Sequence, residues 1–474
     1  MFPVGRRPHC LILIKARGAA AYQTMFMDNV IALAERNVPR YTSYPTAPHF
    51  TAAVDASAYA GWLRAIPADA TLSLYLHVPY CTEICRYCGC HTKATRRGKP
   101  LDAYAATLLG EIDLVATALT ARRVVHLHWG GGTPSILGPQ RLAAVTSAIS
   151  DRFDLSGPAE HAIELDPRRM SKRLAQALAA IGITRASLGV QEFSAHVQRA
   201  IGRIQPFDVV KQAARDLRSA GIGRINIDLM YGLPHQTVAE VERTASLAAS
   251  LEPARLALFG YAHVPWFKAN QKLIDVTALP GPAERIEQAQ AASRVLARHG
   301  YVPIGLDHFA LPEDDLAAAQ RAGRLHRNFQ GYTTDSADAL IALGASAIGQ
   351  LPQGFVQNAV DIAGYARAIA QGAFATVKGI AVSTDDVLRA KIIERLMCDL
   401  AVDLDSLSVR PALNDDASFT RELAGLRPLA AAGMVRIDGR RITVTDQGRP
   451  FVRLVAAAFD AYLPQHASRH SIAV

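Results

Sequence analysis

From Leu72 onward, short β-branched or apolar runs alternate with longer segments whose apolar residues recur every three or four positions. The runs are "LSLYLHVP", "VVHLHWGGG", "AIELD", "RASLGVQ", "RINIDLMYGLP", "RLALFGYAH", "YVPIGLDHF" and "LIALGASAI". Between them lie helical patterns such as "LDAYAATLLGEIDLVATAL" and "PFDVVKQAARDLRSAG". A strand returns parallel to its predecessor only through a crossover, so this alternation calls for a parallel sheet covered by helices. Six to eight such units predict an α/β fold, a full or partial parallel (β/α) barrel. Such barrels place their chemistry at the carboxyl ends of the strands. A cysteine-rich loop follows the first run and "GGGTP" the second; Glu164 and Asp166 end the third, Gln191 the fourth, Asp228 the fifth, and Tyr261 with His263 the sixth. One acid at a strand end caps a helix, whereas polar groups at successive strand ends imply one shared site.

The loop "YLHVPYCTEICRYCGCHT", from Tyr75 to Thr92, holds four of the six cysteines. A chain of this size with its thiols in one loop does not read as a disulfide framework, and a reduced cytoplasm is the expected compartment. Three readings of the loop stand. Structural zinc wants four closed ligands, usually from two separated C-x-x-C pairs, but Cys10 and Cys398 are isolated. A four-thiolate electron carrier would recruit Cys90, which only Gly89 separates from Cys88. A [4Fe–4S] cluster held by Cys81, Cys85 and Cys88 would leave one iron without a protein thiolate, open to S-adenosylmethionine. Glycines at 130–132 allow close backbone approach, and their N–H groups are candidates to receive a carboxylate.

The formal charge is +9, and Arg6, Arg7, Lys15 and Arg17 supply four of these charges within an acid-free first 25 residues. The remaining surplus suits an anionic small molecule and is no footprint for nucleic acid. No apolar run reaches the length of about 18 residues needed to span a membrane. "CLILI", ended by Lys15, is too short for a secretory core, and a natural start at Met25 or Met27 accounts better for the basic beginning. Four segments are expected: 1–27, an extension that is disordered or a mis-assigned start; 28–71, an arm containing "PRYTSYPTA"; 72–380, the barrel; and 381–474, a small helical, winged-helix-like domain. In the last, "RAKIIERLMCDLAVDL" and "LAGLRPLAAAGMVRI" read as helices and "VRIDGRRITVT" as a hairpin turning at Asp438-Gly439. Without a dense basic run in its second helix, this module reads as a packing unit rather than a DNA reader.

The C-x3-C-x2-C loop with Tyr87 before its third cysteine, followed one strand later by "GGGTP", resembles the radical S-adenosylmethionine superfamily. With "PRYTSYPTA", "CRYCGC", "LHWGGGTP", "IELDPR", "GVQEF", "NIDLMYGLP" and "HRNFQGYTT", the chain from about residue 28 resembles the oxygen-independent coproporphyrinogen III oxidases (dehydrogenases) of haem biosynthesis. The resemblance implies an oxidoreductase that converts two propionate side chains of coproporphyrinogen III to vinyl groups through a 5′-deoxyadenosyl radical, giving protoporphyrinogen IX. It implies that Cys81, Cys85 and Cys88 ligate the cluster, and that Tyr75, Gly132, Thr133, Glu164, Gln191, Arg203 and Asp228 hold S-adenosylmethionine. A second S-adenosylmethionine is implied nearby, with Tyr87, Gly131, Ala262, Phe329, Gln330 and Ile348 at or near the pair of sites. Met230 stands where an isoleucine is more usual, a volume-conserving change. No amino acid is named as the catalytic group, with Cys90 the candidate, and Arg40 and Arg327 are candidates to position the substrate's carboxylates. A flavodoxin- or ferredoxin-like electron donor, an unidentified acceptor and a monomer complete the expectation. The rival readings are a haem-binding chaperone of the same superfamily and a radical methyltransferase; the chaperones generally lack the "PRYTSYPTA" arm and a thiol at Cys90's position.

Overall fold

The structure is a computed structural model, which describes residues 33, 35–155, 157, 159–407 and 419–463. The extension 1–27, with Cys10 and both alternative start methionines, lies outside the described residues.

The six leading runs form strands β1 (Leu72–Val78), β2 (Val124–Gly131), β3 (Glu160–Leu165), β4 (Arg185–Gln191), β5 (Arg224–Tyr231) and β6 (Arg255–Gly260). Each pairs in parallel with the next, in sequence order. In β1, Leu72, Leu74, Leu76 and Val78 are fully buried, and six of its seven residues are buried in all. Burial on both faces is what crossover helices on a parallel sheet require. The predicted helical segments form α1 (Gly98–Ala118) and α2 (Phe207–Ser219).

Two later runs depart from the simple repeat. "YVPIGLDHF" forms not a parallel strand but a tight hairpin of β7 (Val302–Ile304) and β8 (His308–Ala310), with β8 antiparallel to β6. Gly305, at φ +49 between the two strands, lets the chain reverse, and an added Cβ there would meet the Tyr332 ring at 2.0 Å. "LIALGASAI" supplies β9 (Ala339–Leu343), which lies parallel to β1 on its free edge. The chain then folds back through β10 (Ile348–Leu351), β11 (Gly354–Asn358) and β12 (Thr376–Ala381), all antiparallel. The twelve strands run in the order β12-β11-β10-β9-β1-β2-β3-β4-β5-β6-β8-β7, an open sheet whose ends do not meet, so the barrel is partial.

Beyond Ala381 a second core forms. Helix α3 (Thr384–Asp399) opens with a reciprocal capping box between Ser383 and Asp386. It ends at Leu400, at φ +57, after which β13 (Ala401–Asp403) joins β14 (Val435–Asp438) and β15 (Arg441–Val444). The expected first helix therefore stops short of "AVD", which pairs as a strand. The expected second helix is two short ones, Thr420–Gly425 and Arg427–Ala431, broken where Pro428 removes an N–H. Val38, Tyr41 and Tyr44 of the arm are buried in this core. Tyr41 Oη donates to Asp460 (3.0 Å), and the Arg453 guanidinium donates to the carbonyls of Val38 and Pro39. At the other end of the arm, Thr51 and Gly379 exchange backbone hydrogen bonds at 2.8 and 2.9 Å. The arm is thus a tie between the two cores rather than an appendage.

Candidate active site

The loop leaving β1 is closed by its own backbone. Lys93 N donates to the Pro79 carbonyl (2.9 Å) and Thr95 N to that of Cys81 (2.8 Å), pinching the ends together. Between them the carbonyls point away from regular structure, and 268–271, after β6, absorb them. Asn270 Nδ2 donates to the carbonyls of Cys85, Arg86 and Cys88 at 3.1, 3.1 and 2.9 Å. Gln271 Nε2 donates to Tyr87 O (2.7 Å) and Lys268 Nζ to Cys90 O (3.1 Å). These residues carry no periodic signal, so nothing in the sequence pattern singled them out.

Each of the three predicted ligands has a donor on its sulfur. Thr92 Oγ1 and Thr133 Oγ1 donate to Cys81 Sγ (3.3 and 3.4 Å), Arg203 Nη1 to Cys85 Sγ (3.5 Å), and Cys90 N to Cys88 Sγ (3.4 Å). Such donors favour thiolate, the form that binds metal. The Cys90 side chain also hydrogen-bonds Cys88; that bond first, against burial, draws the Cys88 thiol down to about 6 and raises that of Cys90. Cys90 is therefore placed to support a ligand.

The sulfurs open onto a cavity of about 520 Å³. Of the sequence-predicted residues, Cys81, Cys85, Tyr87, Cys88, Cys90, Gly131, Gly132, Thr133, Glu164, Gln191, Arg203, Asp228 and Ala262 line it, with Arg40 at its edge. Arg203 is held by Asp166 Oδ1 (3.4 Å) and by the Gly189 carbonyl. Glu164 accepts from Gly131 N (3.1 Å) and His128 Nε2 (3.4 Å). Asp228 accepts from Ser187 Oγ and Asn226 Nδ2, both at 2.9 Å, and burial pushes its carboxyl up to about 6. Gln191 reaches the cavity from a bulge at the end of β4, at φ +71.

The glycine loop differs from expectation. The N–H groups of Gly131, Gly132 and Thr133 are spent on Glu164, the Val78 carbonyl (2.8 Å) and the Tyr80 carbonyl (2.8 Å), so they do not await a carboxylate. The glycines serve close packing instead. A Cβ on Gly131, at φ +107, would stand 2.6 Å from the His77 ring, and one on Gly132 would stand 2.5 Å from Tyr80 O. Tyr75 lies behind this loop rather than in the cavity wall, its hydroxyl 3.0 Å from His77 Nδ1 and its ring against Gly130. Phe329, Gln330 and Ile348 do not line the cavity either. Phe329 and Gln330 form the tip of a hairpin between His326–Asn328 and Gly331–Thr333, and Ile348 begins β10. Arg327, in the same hairpin, lines a neighbouring cavity.

An open parallel barrel whose first loop presents three hydrogen-bonded cysteine sulfurs to acids at the next strand ends and to the Arg203 guanidinium defines a radical S-adenosylmethionine enzyme. Residues 75–248 match the Radical SAM superfamily, and residues 382–451 match the HemN C-terminal domain. The chain is 49% identical over 451 residues to the oxygen-independent coproporphyrinogen III oxidase of Bradyrhizobium diazoefficiens, covering 95% of this chain and 100% of that one. It is 38% identical to that of Escherichia coli, covering 90% of this chain and 94% of the relative. The solved structure of the Escherichia coli coproporphyrinogen III oxidase, described as a radical SAM enzyme, superposes with a TM-score of 0.85 over 90% of this chain and 98% of its own. The chain belongs to the oxygen-independent coproporphyrinogen III oxidase family.

Proposed function

We propose that the protein carries out the oxygen-independent oxidative decarboxylation of two propionate side chains of coproporphyrinogen III, giving the two vinyl groups of protoporphyrinogen IX. The observation that carries this reading is the single cavity in which three hydrogen-bonded cysteine sulfurs face Glu164, Asp228 and Arg203. The donor set fits the implied cofactors. Cys81, Cys85 and Cys88 would hold a [4Fe–4S] cluster with one iron free of protein thiolate. Arg203 suits the carboxylate of S-adenosylmethionine, and Glu164 and Asp228 suit its ammonium or ribose hydroxyls. When bound, cluster and S-adenosylmethionine supply a 5′-deoxyadenosyl radical able to take a hydrogen atom from the carbon β to a propionate carboxylate.

The chain's own task is placement and exclusion of water. Thr92, Thr133, Arg203 and the Cys90 amide donate to the three sulfurs and orient them; Asn270 and Gln271 hold the loop that carries them. Tyr87, Gly131 and Ala262 line the same cavity and would contribute to a second S-adenosylmethionine, while Phe329, Gln330 and Ile348 would have to act from outside it. For each vinyl, one hydrogen atom is removed, the bond to the carboxylate breaks, carbon dioxide leaves, and one electron passes to an acceptor. We assign the reducing electron to a flavodoxin- or ferredoxin-like donor and place the enzyme, as a monomer, in the cytoplasm. Among the described residues no helix is long and apolar enough to cross a membrane.

Anaerobic incubation with coproporphyrinogen III, S-adenosylmethionine and a reductant tests the reading. Release of carbon dioxide with 5′-deoxyadenosine and methionine is expected. Haem binding without carbon dioxide would point to a chaperone, and S-adenosylhomocysteine in place of 5′-deoxyadenosine to a methyltransferase.

A further inference from the structure

A second cavity, of about 330 Å³, lies beside the first and shares Arg40, Gly260, Tyr261 and Ala262 with it. Its walls are of another kind. Six guanidiniums line it, from Arg40, Arg285, Arg294, Arg327, Arg449 and Arg453, against the carboxylates of Asp307 and Asp446. They converge from the arm, from the helix Pro282–Arg298, from the hairpin after His326 and from the C-terminal module. Like charges gathered around a small space repel one another, and an entering anion relieves that repulsion.

The arginines divide by what they already hold. Arg453 and Arg285 donate to main-chain carbonyls, the first to Val38 and Pro39, the second to Tyr261 at 3.0 Å. Arg40 donates to Gly260 O at 3.0 Å, in the wall common to both cavities. Arg327 keeps only 5% of its side chain exposed, stands 4.4 Å from the Tyr332 ring centroid and lies 3.5 Å from Asp307 Oδ1. Its Nε is buried with no hydrogen-bond partner among the described residues. No side-chain hydrogen bond or ion pair joins the Arg294 or Arg449 guanidinium to another described residue. Three guanidiniums thus have donors to spare, one of them buried in the wall.

We propose that this cavity is a carboxylate subsite, in which Arg294, Arg327 and Arg449 hold propionates of the substrate while another propionate occupies the cysteine cavity. The inference rests on the function proposed above. A tetrapyrrole with four propionates carries the charge that this lining lacks, and guanidinium forks match carboxylates two bonds at a time. Each decarboxylation engages one propionate, which leaves the other acids to be held elsewhere, and the shared wall puts the arginine cavity next door. Because Arg449 belongs to the C-terminal module, that module gains a part in substrate recognition. Two successive decarboxylations also need a holder indifferent to which propionate it receives, and a fan of arginines from separate elements is such a holder. The one competing source of the same chemistry is the aminoacyl carboxylate of S-adenosylmethionine.

The test uses cluster-loaded enzyme under anaerobic conditions, with Arg294→Gln, Arg449→Gln and the double variant, each checked for wild-type iron content and circular dichroism. In the double variant the KM for coproporphyrinogen III should rise at least tenfold, the KM for S-adenosylmethionine should move less than twofold, and the monovinyl tricarboxylate intermediate should escape before its second turnover. Fluorescence titration should show coproporphyrin III bound at least tenfold more weakly by the double variant than by wild type, with its tetramethyl ester bound alike by both. Arg449→Lys, which keeps the charge, should recover part of the affinity. Unchanged coproporphyrin III affinity and unchanged substrate KM would overturn the proposal, as would a rise confined to the KM for S-adenosylmethionine. Wild type that binds the tetra-acid in an arginine-dependent way but never decarboxylates it would sink the proposed function and leave the subsite standing. Should the double variant fail to fold, Arg294→Gln alone, on an exposed helix position, reads the same quantities.

Discussion

At the scale of single residues, the site depends on which sulfur is a ligand and which supports one. Cys85→Ser should abolish the visible absorbance of the cluster and all turnover, because Cys85 is the buried member of the three. Normal iron content in that variant would strike Cys85 from the ligand set. Cys90→Ser should retain its iron, since the backbone amide that reaches Cys88 Sγ survives the change; iron and sulfide analysis of the two variants side by side checks both expectations. Gly131→Ala should fare worse than its size suggests. Its φ of +107 and the His77 ring at 2.6 Å combine backbone strain with a clash, costing about 2–4 kcal/mol, readable as a fall in the denaturant midpoint. The C-x3-C-x2-C spacing made the cysteines legible, and a glycine run flagged close approach. What the glycines approach was not legible, because His77 and Tyr80 are brought there by β1 and the loop that follows it.

At the scale of elements, two bundles of hydrogen bonds hold the frame on which the site stands. Asn270→Ala deprives three cysteine-loop carbonyls of their donor, so the cluster should be lost faster to a chelator and stability should fall by about 1–3 kcal/mol. Followed by absorbance, an unchanged rate of cluster loss would show that the loop is held by other means. Helix α1 carries the second bundle. Buried Glu111 accepts from Gly344 N (2.6 Å), Tyr365 Oη (2.7 Å) and Asn358 Nδ2 (2.7 Å), joining α1 to the end of β9, to β11 and to the helix Ile362–Ala370. Burial pushes its carboxyl up to about 7 despite these donors. A carboxyl whose folded pKa exceeds its unfolded one binds more protons when folded. Its contribution is therefore favourable below the ordinary carboxylate range and is lost as pH rises through about 7. Glu111→Gln should flatten the decline in the urea midpoint between about pH 5 and about pH 8, where Glu111 alone accounts for on the order of 2–3 kcal/mol. Helix α1 itself was plain from its periodicity, but Glu111's partners lie more than 230 residues away and leave no trace in a local pattern.

At the scale of the whole molecule, the arm reaches from one core to the other, and the buried Arg453 fastens its first residues to the C-terminal core. Arg453→Ala should cost about 1–3 kcal/mol by leaving the Val38 and Pro39 carbonyls without their donor, and should loosen the arm ahead of the barrel. Hydrogen exchange over residues 38–50 rising before that over β1–β6 is the expected sign. Legible from the chain alone were the repeated parallel strands, the cysteine-rich loop after the first of them and the polar residues at the strand ends, because periodicity and spacing are local and each strand end delivers its loop to the same rim. Only the tertiary structure decided that "YVPIGLDHF" turns back on itself and that the barrel stays open. It alone decided, too, that the arm is a tie and that arginines from four separate segments meet in one cavity. Those outcomes depend on contacts between residues far apart in the chain, where no spacing rule operates and packing chooses the neighbours.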